Sequence, residues 1–313
     1  MTILVYLIAY GGTIACAAVI AFKVYSYLKK PVHVRWELYP VAHEAGDRPS
    51  YGGSYLEDVD WWKSRQKSSF IGSVKGLLIE LMLLRSTQEN NIKLWWRTYP
   101  FHMGLYLHLG GIGLAIFAAL TKLAGIRPGI FLTAVGNIVQ VVFCLGFLCI
   151  IGGAGALLHR RLTQPDLRIY STREHYLNLS AFVALGVLGL ISWLVNPSFF
   201  ELASDFIANM LSFTFTPPDS GIFTLYLLFG FILAAYVPAT HMGHFFMKYF
   251  LYHDIRWGDQ PTQDNPNIQK KIGVALGYPV SWQAAHIQGD GKKTWAEVAT
   301  TNPALSTDEK KEM

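Results

Sequence analysis

Residues 98–122 read TYPFHMGLYLHLGGIGLAIFAALTK, and the reading of this stretch decides the fold. Between Tyr99 and Lys122 it carries no charged residue. Its length exceeds the ~20 residues with which an α-helix crosses a bilayer core. Two histidines, His102 and His108, lie inside it. An imidazole in hydrocarbon has lost its water and needs a partner. Only one other long apolar stretch holds histidines, at His241 and His244.

Working outward, four more apolar stretches of spanning length appear, roughly at 3–28, 130–158, 176–195 and 222–251. Of the 313 residues 52% are hydrophobic and 15% charged, where a soluble domain carries about a quarter charged. The expected fold class is therefore all-α, an integral membrane bundle of five transmembrane helices. Period-2 patterning of a barrel is absent. The stretch from Ile3 to Leu28 lacks a basic region before it, so it reads as a retained first helix and not as a cleaved signal.

Lys and Arg set the orientation. Eleven lie in 29–97, four in 159–174 and eight from Lys248 onward; with Lys23, 24 of 26 fall on one side. The positive-inside rule then places the N-terminus outside and the C-terminus in the cytoplasm. The net charge of +5 reports this topology and gives no reason to expect nucleic acid as a partner. Cys16, Cys144 and Cys149 all lie in apolar spans and read as small buried hydrophobes.

Two parts are expected: a membrane domain over 1–253, with the cytoplasmic insertion 29–97, and a C-terminal arm over 254–313. Within the insertion, Ile71, Val74, Leu77, Leu78, Leu81 and Leu84 recur at helical spacing. They predict an amphipathic helix between Ser68 and Ser86, on the membrane surface or against a partner subunit. Trp95, Trp96 and Tyr99 form an aromatic belt before the second span. Residues 201–211 predict a short interfacial helix in the external loop. The tail has few periodic hydrophobics, so an extended arm ordered on a partner is expected, with Trp257, Tyr278, Trp282 and Trp295 as contacts.

Two antiparallel spans offering inward imidazoles point to a bis-histidine metal centre, most often haem iron. His102 begins one span and His244 ends the other on the same side, so they are the first choice of ligand pair. His108 and His241 are reserves, or partners for propionates, backbone or quinone. His108 lies about 9 Å deeper than His102 on a regular helix. A second haem needs a ligand about ten residues further along, where Ile112 stands. One haem is therefore expected, with a second left open. Gly104, Gly110, Gly111 and Gly113 suit a flat cofactor or close helix contact. His159 and His175 read as interfacial, and His33, His43, His253 and His286 lack metal spacing. Two rival readings remain: a haem-free membrane anchor or quinone-binding subunit, and a transporter with a histidine proton relay. The absence of intramembrane carboxylates and of inverted repeats weighs against the transporter.

Phe101-His102-Met103-Gly104 resembles the Phe-His-x-Gly of the gamma, cytochrome b subunit of respiratory nitrate reductase. The basic run from His159 to Arg168 resembles the loop after that family's third span. Val237-Pro-Ala-Thr-His-Met-Gly-His244 is similar to the end of its fifth span. The run LIELMLLRS at 78–86 looks more like the membrane cytochromes of sulfate-respiring bacteria, which partner heterodisulfide-reductase-like iron–sulfur subunits. The resemblance covers roughly residues 68–250. It implies haem b on His102 and His244, and menaquinone as substrate. It also implies a cytoplasmic iron–sulfur subunit as partner, with a periplasmic multihaem cytochrome c as a further one, and the cytoplasmic (inner) membrane as location. The family's distal haem ligands fall on Ile112 and Tyr226, so that haem does not carry over. No nucleophile motif, phosphate loop or carboxylate pair appears, so the chain reads as an electron-transfer subunit of a quinone-linked oxidoreductase.

Overall fold

The structure, a computed structural model, describes residues 2–30, 44–51, 53, 57–63, 67, 69–126, 129–244, 246–247, 266–282, 287 and 289–301. Five helices are long and apolar enough to cross a membrane. They are α1 (Thr2–Leu28), α3 (Ile92–Leu123), α4 (Ile130–Thr163), α5 (Arg173–Val195) and α7 (Gly221–Tyr236), the last prolonged by a 3₁₀ turn at Val237–Ala239. Between them lie α2 (Phe70–Leu83) and α6 (Phe199–Leu211); α8 (Pro266–Leu276) and α9 (Trp295–Thr300) follow. The chain is thus a multi-pass membrane bundle.

The described residues divide into two compact units: one up to Phe22 and from Leu77 to Gly243, the other from Lys23 to Gly76 and from His244 onward. In the first, α3, α4 and α5 pack closely because glycine removes the side chain between them. A Cβ on Gly104 would lie 2.6 Å from the Ile150 nitrogen and 2.8 Å from the Gly146 oxygen. Gly111 meets the Phe143 ring in the same way, whereas Gly110 and Gly113 face open space. The small residues therefore serve helix contact, the membrane solution to packing without a hydrophobic driving force between helices. Val139, Phe143, Phe147 and Ile150 of α4 are completely buried. On the outside, Leu109, Ile138 and Leu194 are each more than 60% exposed, the apolar surface that lipid covers.

Local chemistry sets the helix ends. The Asn91 side chain accepts from the Leu94 N–H at 3.0 Å and starts α3. Arg160 and Arg161 end α4, where the macrodipole favours cations. At the other end of the bundle the Lys122 ammonium donates to Glu201 at 2.7 Å, Asp205 at 2.6 Å and the Ser204 hydroxyl at 2.7 Å. These bonds fix α6, whose Phe199, Phe200 and Phe206 are buried.

The helix expected within 68–86 forms as α2. Its last turns are held by Trp95 Nε1–H donating to the Leu83 carbonyl and Tyr106 O–H to the Leu81 carbonyl, both at 2.7 Å. Phe70, Ile71 and Leu78 of α2 point outward. Leu84 follows with φ 49°, a left-handed backbone that ends the helix.

Two segments differ from the expected course. The fifth span does not continue as one helix to 251. It stops at Tyr236, and 3₁₀ turns follow at Val237–Ala239 and His241–Gly243. Pro238 has no N–H for the helical ladder. Thr240 N–H and Gly243 N–H donate to the carbonyls three residues back. His241 and His244 therefore do not share a regular helix face. In the tail, the described residues 278–280 pair with 291–295, so this part does not run extended. Asp290 Oδ1 accepts from Lys292 N–H and Lys293 N–H, and Gly291 turns with φ 76°. That turn brings Val280 N–H to the Lys293 carbonyl at 2.9 Å and buries Val280.

Candidate functional site

Each of the four histidines sits in a different setting. His102 is half-buried on α3, between the rings of Phe101 and Tyr106. Its Nδ1 lies 2.9 Å from the Thr98 carbonyl, one turn back. A carbonyl only accepts, so Nδ1 carries the proton. In the neutral ring Nε2 then carries the lone pair. This arrangement fixes the tautomer and the ring orientation of His102.

His108 is a different case. It is 7% exposed, and its Nε2 lies 3.2 Å from the Tyr226 hydroxyl of α7. Its Nδ1 is buried with no partner. Phe143, Phe147 and Tyr226 surround the imidazole with ring centroids 5.3–6.1 Å away. Phe199 and Phe223 extend the same cluster, each against Tyr226. Aromatic rings of α4 and α7 thus pack against the imidazole.

His241 lies in the 3₁₀ turn after α7, at the end of the bundle that carries Arg160 and Arg161. Glu174 Oε1 accepts from the His241 Nδ1–H at 2.9 Å and from its backbone N–H at 3.3 Å. The Asn178 Nδ2 lies 3.5 Å from the same Nδ1; with the Nδ1 proton given to Glu174 both are donors, so the groups touch without a hydrogen bond. The His175 ring stands 4.6 Å from the His241 ring, centre to centre. His175 Nδ1 in turn accepts from Thr172 N–H at 3.1 Å in the capping box that starts α5. His244 follows the turn, exposed, in the second compact unit.

The structure thus brings His241 to His175 and His108 to Tyr226. Among the described residues no group of three or more His, Cys, Asp or Glu side chains is arranged to hold a metal ion. His159 is exposed on the last turns of α4. His33, His43, His253 and His286 lie outside the described residues.

The depth of the polar cluster follows from packing. Phe101, beside His102, meets Phe182 of α5 edge-on at 5.1 Å. Asn178 is one helical turn from Phe182, about 6 Å toward the basic end. The cluster therefore lies about one turn beyond the His102 level. Glu174 and Asn178 were not singled out from sequence. Their signal was an Asn inside an apolar span with a carboxylate four residues before it, on one helix face.

Comparison with family models, with curated proteins and with solved structures finds no match.

Proposed function

We propose that the chain is a membrane cytochrome b subunit of a respiratory complex. It passes electrons between the menaquinone pool and a cytoplasmic iron–sulfur subunit through one bis-histidine haem b. The observation that carries this reading is the His102–Thr98 hydrogen bond. It fixes the tautomer and orientation of a bundle histidine and puts the imidazole lone pair on Nε2. When bound, haem would supply one-electron transfer.

In this reading His102, through Nε2, and His244 would hold the haem iron. His108 does not fit a ligand's role: its Nε2 is engaged by Tyr226, and aromatic rings fill the space beside it. The aromatic cluster around His108 favours a single haem at the level of His102. The 24 basic residues assigned to one side by sequence put His102 near the cytoplasmic face. That is where an iron–sulfur partner would dock, and the α2 segment and the tail are the surfaces offered to it.

The test is a reduced-minus-oxidised spectrum of the purified protein and of three variants. A b-type signal is expected in the wild type and in His108→Leu, and is lost in His102→Ala and His244→Ala. Full haem in His102→Ala would overturn the assignment.

A further inference from the structure

The Glu174–His241 cluster has features that a purely structural cap does not need. It forms where the fifth span breaks. Irregular backbone at membrane depth persists only where it is buried in protein or lines a polar cavity. Here the freed His241 N–H is satisfied by the Glu174 carboxylate. Asn178 enters the cluster from α5 and is 1% exposed, yet its Oδ1 has no hydrogen-bond partner. A buried acceptor left without a donor carries the full desolvation penalty, and a bound donor would remove it.

The proton inventory says which ligand fits. His241 Nδ1–H is committed to Glu174, so in the neutral ring Nε2 is an acceptor. Asn178 Oδ1 is an acceptor, and so is the carboxylate of Glu174. A phosphate or carboxylate ligand would be repelled by Glu174 and would leave these acceptors unmatched. A metal ion lacks a suitable donor group here. What remains is a neutral, bilayer-soluble molecule carrying O–H donors on a flat ring. We propose that Glu174, Asn178 and His241 bind the headgroup of a quinol. Its hydroxyls donate to Asn178 Oδ1 and to the Glu174–His241 pair, about one turn toward the basic end from His102. This deepens the reading given above, on which the choice of a quinol rests, by placing its quinol site at the broken end of the fifth span.

The test is isothermal titration calorimetry of the full-length protein in detergent with the quinol analogue 2-heptyl-4-hydroxyquinoline N-oxide. The wild type is expected to bind it at one site. Glu174→Gln and Asn178→Leu are each expected to weaken binding by about tenfold or more, the loss of one charge-assisted or buried hydrogen bond. Leu approximates the volume of Asn178; should Asn178→Leu fail to fold, the partly exposed Glu174→Gln carries the test. His108→Leu, at the other level, is expected to bind as wild type. No binding by the wild type, or undiminished binding by Glu174→Gln, would overturn the proposal. Haem is assayed on the same preparations. Analogue binding that is lost in the two variants of a haem-free protein would sink the cytochrome reading and leave this site standing. Normal haem with unaltered binding in the variants would do the reverse.

Discussion

Replacing His108 by Leu and Tyr226 by Phe together is expected to leave the bundle as stable as the wild type, or to stabilise it by about 1 kcal/mol. Both side chains are buried, and each meets the other in the 3.2 Å bond between them. In His108→Leu alone, the Tyr226 hydroxyl loses its partner inside the aromatic cluster, at about 1–3 kcal/mol for a buried unsatisfied group. In Tyr226→Phe alone the imidazole is stranded with both nitrogens unpartnered, since Nδ1 already lacks a partner. Each single variant should therefore be the less stable. The double variant removes the pair and the Nδ1 orphan at once, and it keeps the ring of Tyr226 against Phe147 and Phe199. Removing both partners is near neutral where removing one is costly. The four proteins form a double-mutant cycle whose coupling is the sum of the two single losses, about 2 kcal/mol or more. Reversible unfolding in mixed micelles, with haem measured in parallel, reads it. A double variant that is less stable than either single, or that loses haem, would refute the view that the pair is structural filling.

Lys122→Met should lower stability by about 1 kcal/mol at low salt, because it strands Glu201 and Asp205 of α6. Most of that difference should vanish at 1 M salt, where the Debye length is about 3 Å; a salt-independent loss would mean that packing of the lysine stem dominates. Leu84→Gly should raise the protection of the α2 end against proteolysis, since a left-handed backbone costs a non-glycine residue about 1 kcal/mol; faster cleavage there would show that the Leu84 side chain is what holds the turn. Gly104→Leu should disrupt the α3–α4 contact, as its side chain would meet the Ile150 and Gly146 backbone. Overpacking of this kind costs about 1–3 kcal/mol or more, and an unchanged unfolding midpoint would contradict the close approach.

The five spans were legible because a bilayer demands about 20 apolar residues per crossing, and residues 98–122 meet that demand without ambiguity. The helix of 68–86 was legible by periodicity, and the short helix near 201–211 by its amphipathic pattern. The course after Tyr236 was not. Hydropathy runs on past Pro238 as if the helix did, whereas the missing N–H converts the backbone to 3₁₀ turns and changes where His241 points. The closing of the tail around Val280 escaped notice for a related reason. It depends on Asp290 and Gly291 forming one turn, a local device without periodicity. Among the histidines, the place of His102 at the start of a span is legible in the sequence, and so is Thr98, its partner one turn back on the same helix. His108 and His241 depended on partners from other helices, Tyr226 and Glu174, and spacing along one helix carries no information about those.

The measurement that tests the central claim most directly is the haem content of the purified chain, by pyridine haemochrome assay against protein mass. One haem b per chain is the predicted value, falling to zero in His102→Ala and unchanged in His108→Leu. No haem, or two haems with the second lost in His108→Leu, would contradict the account.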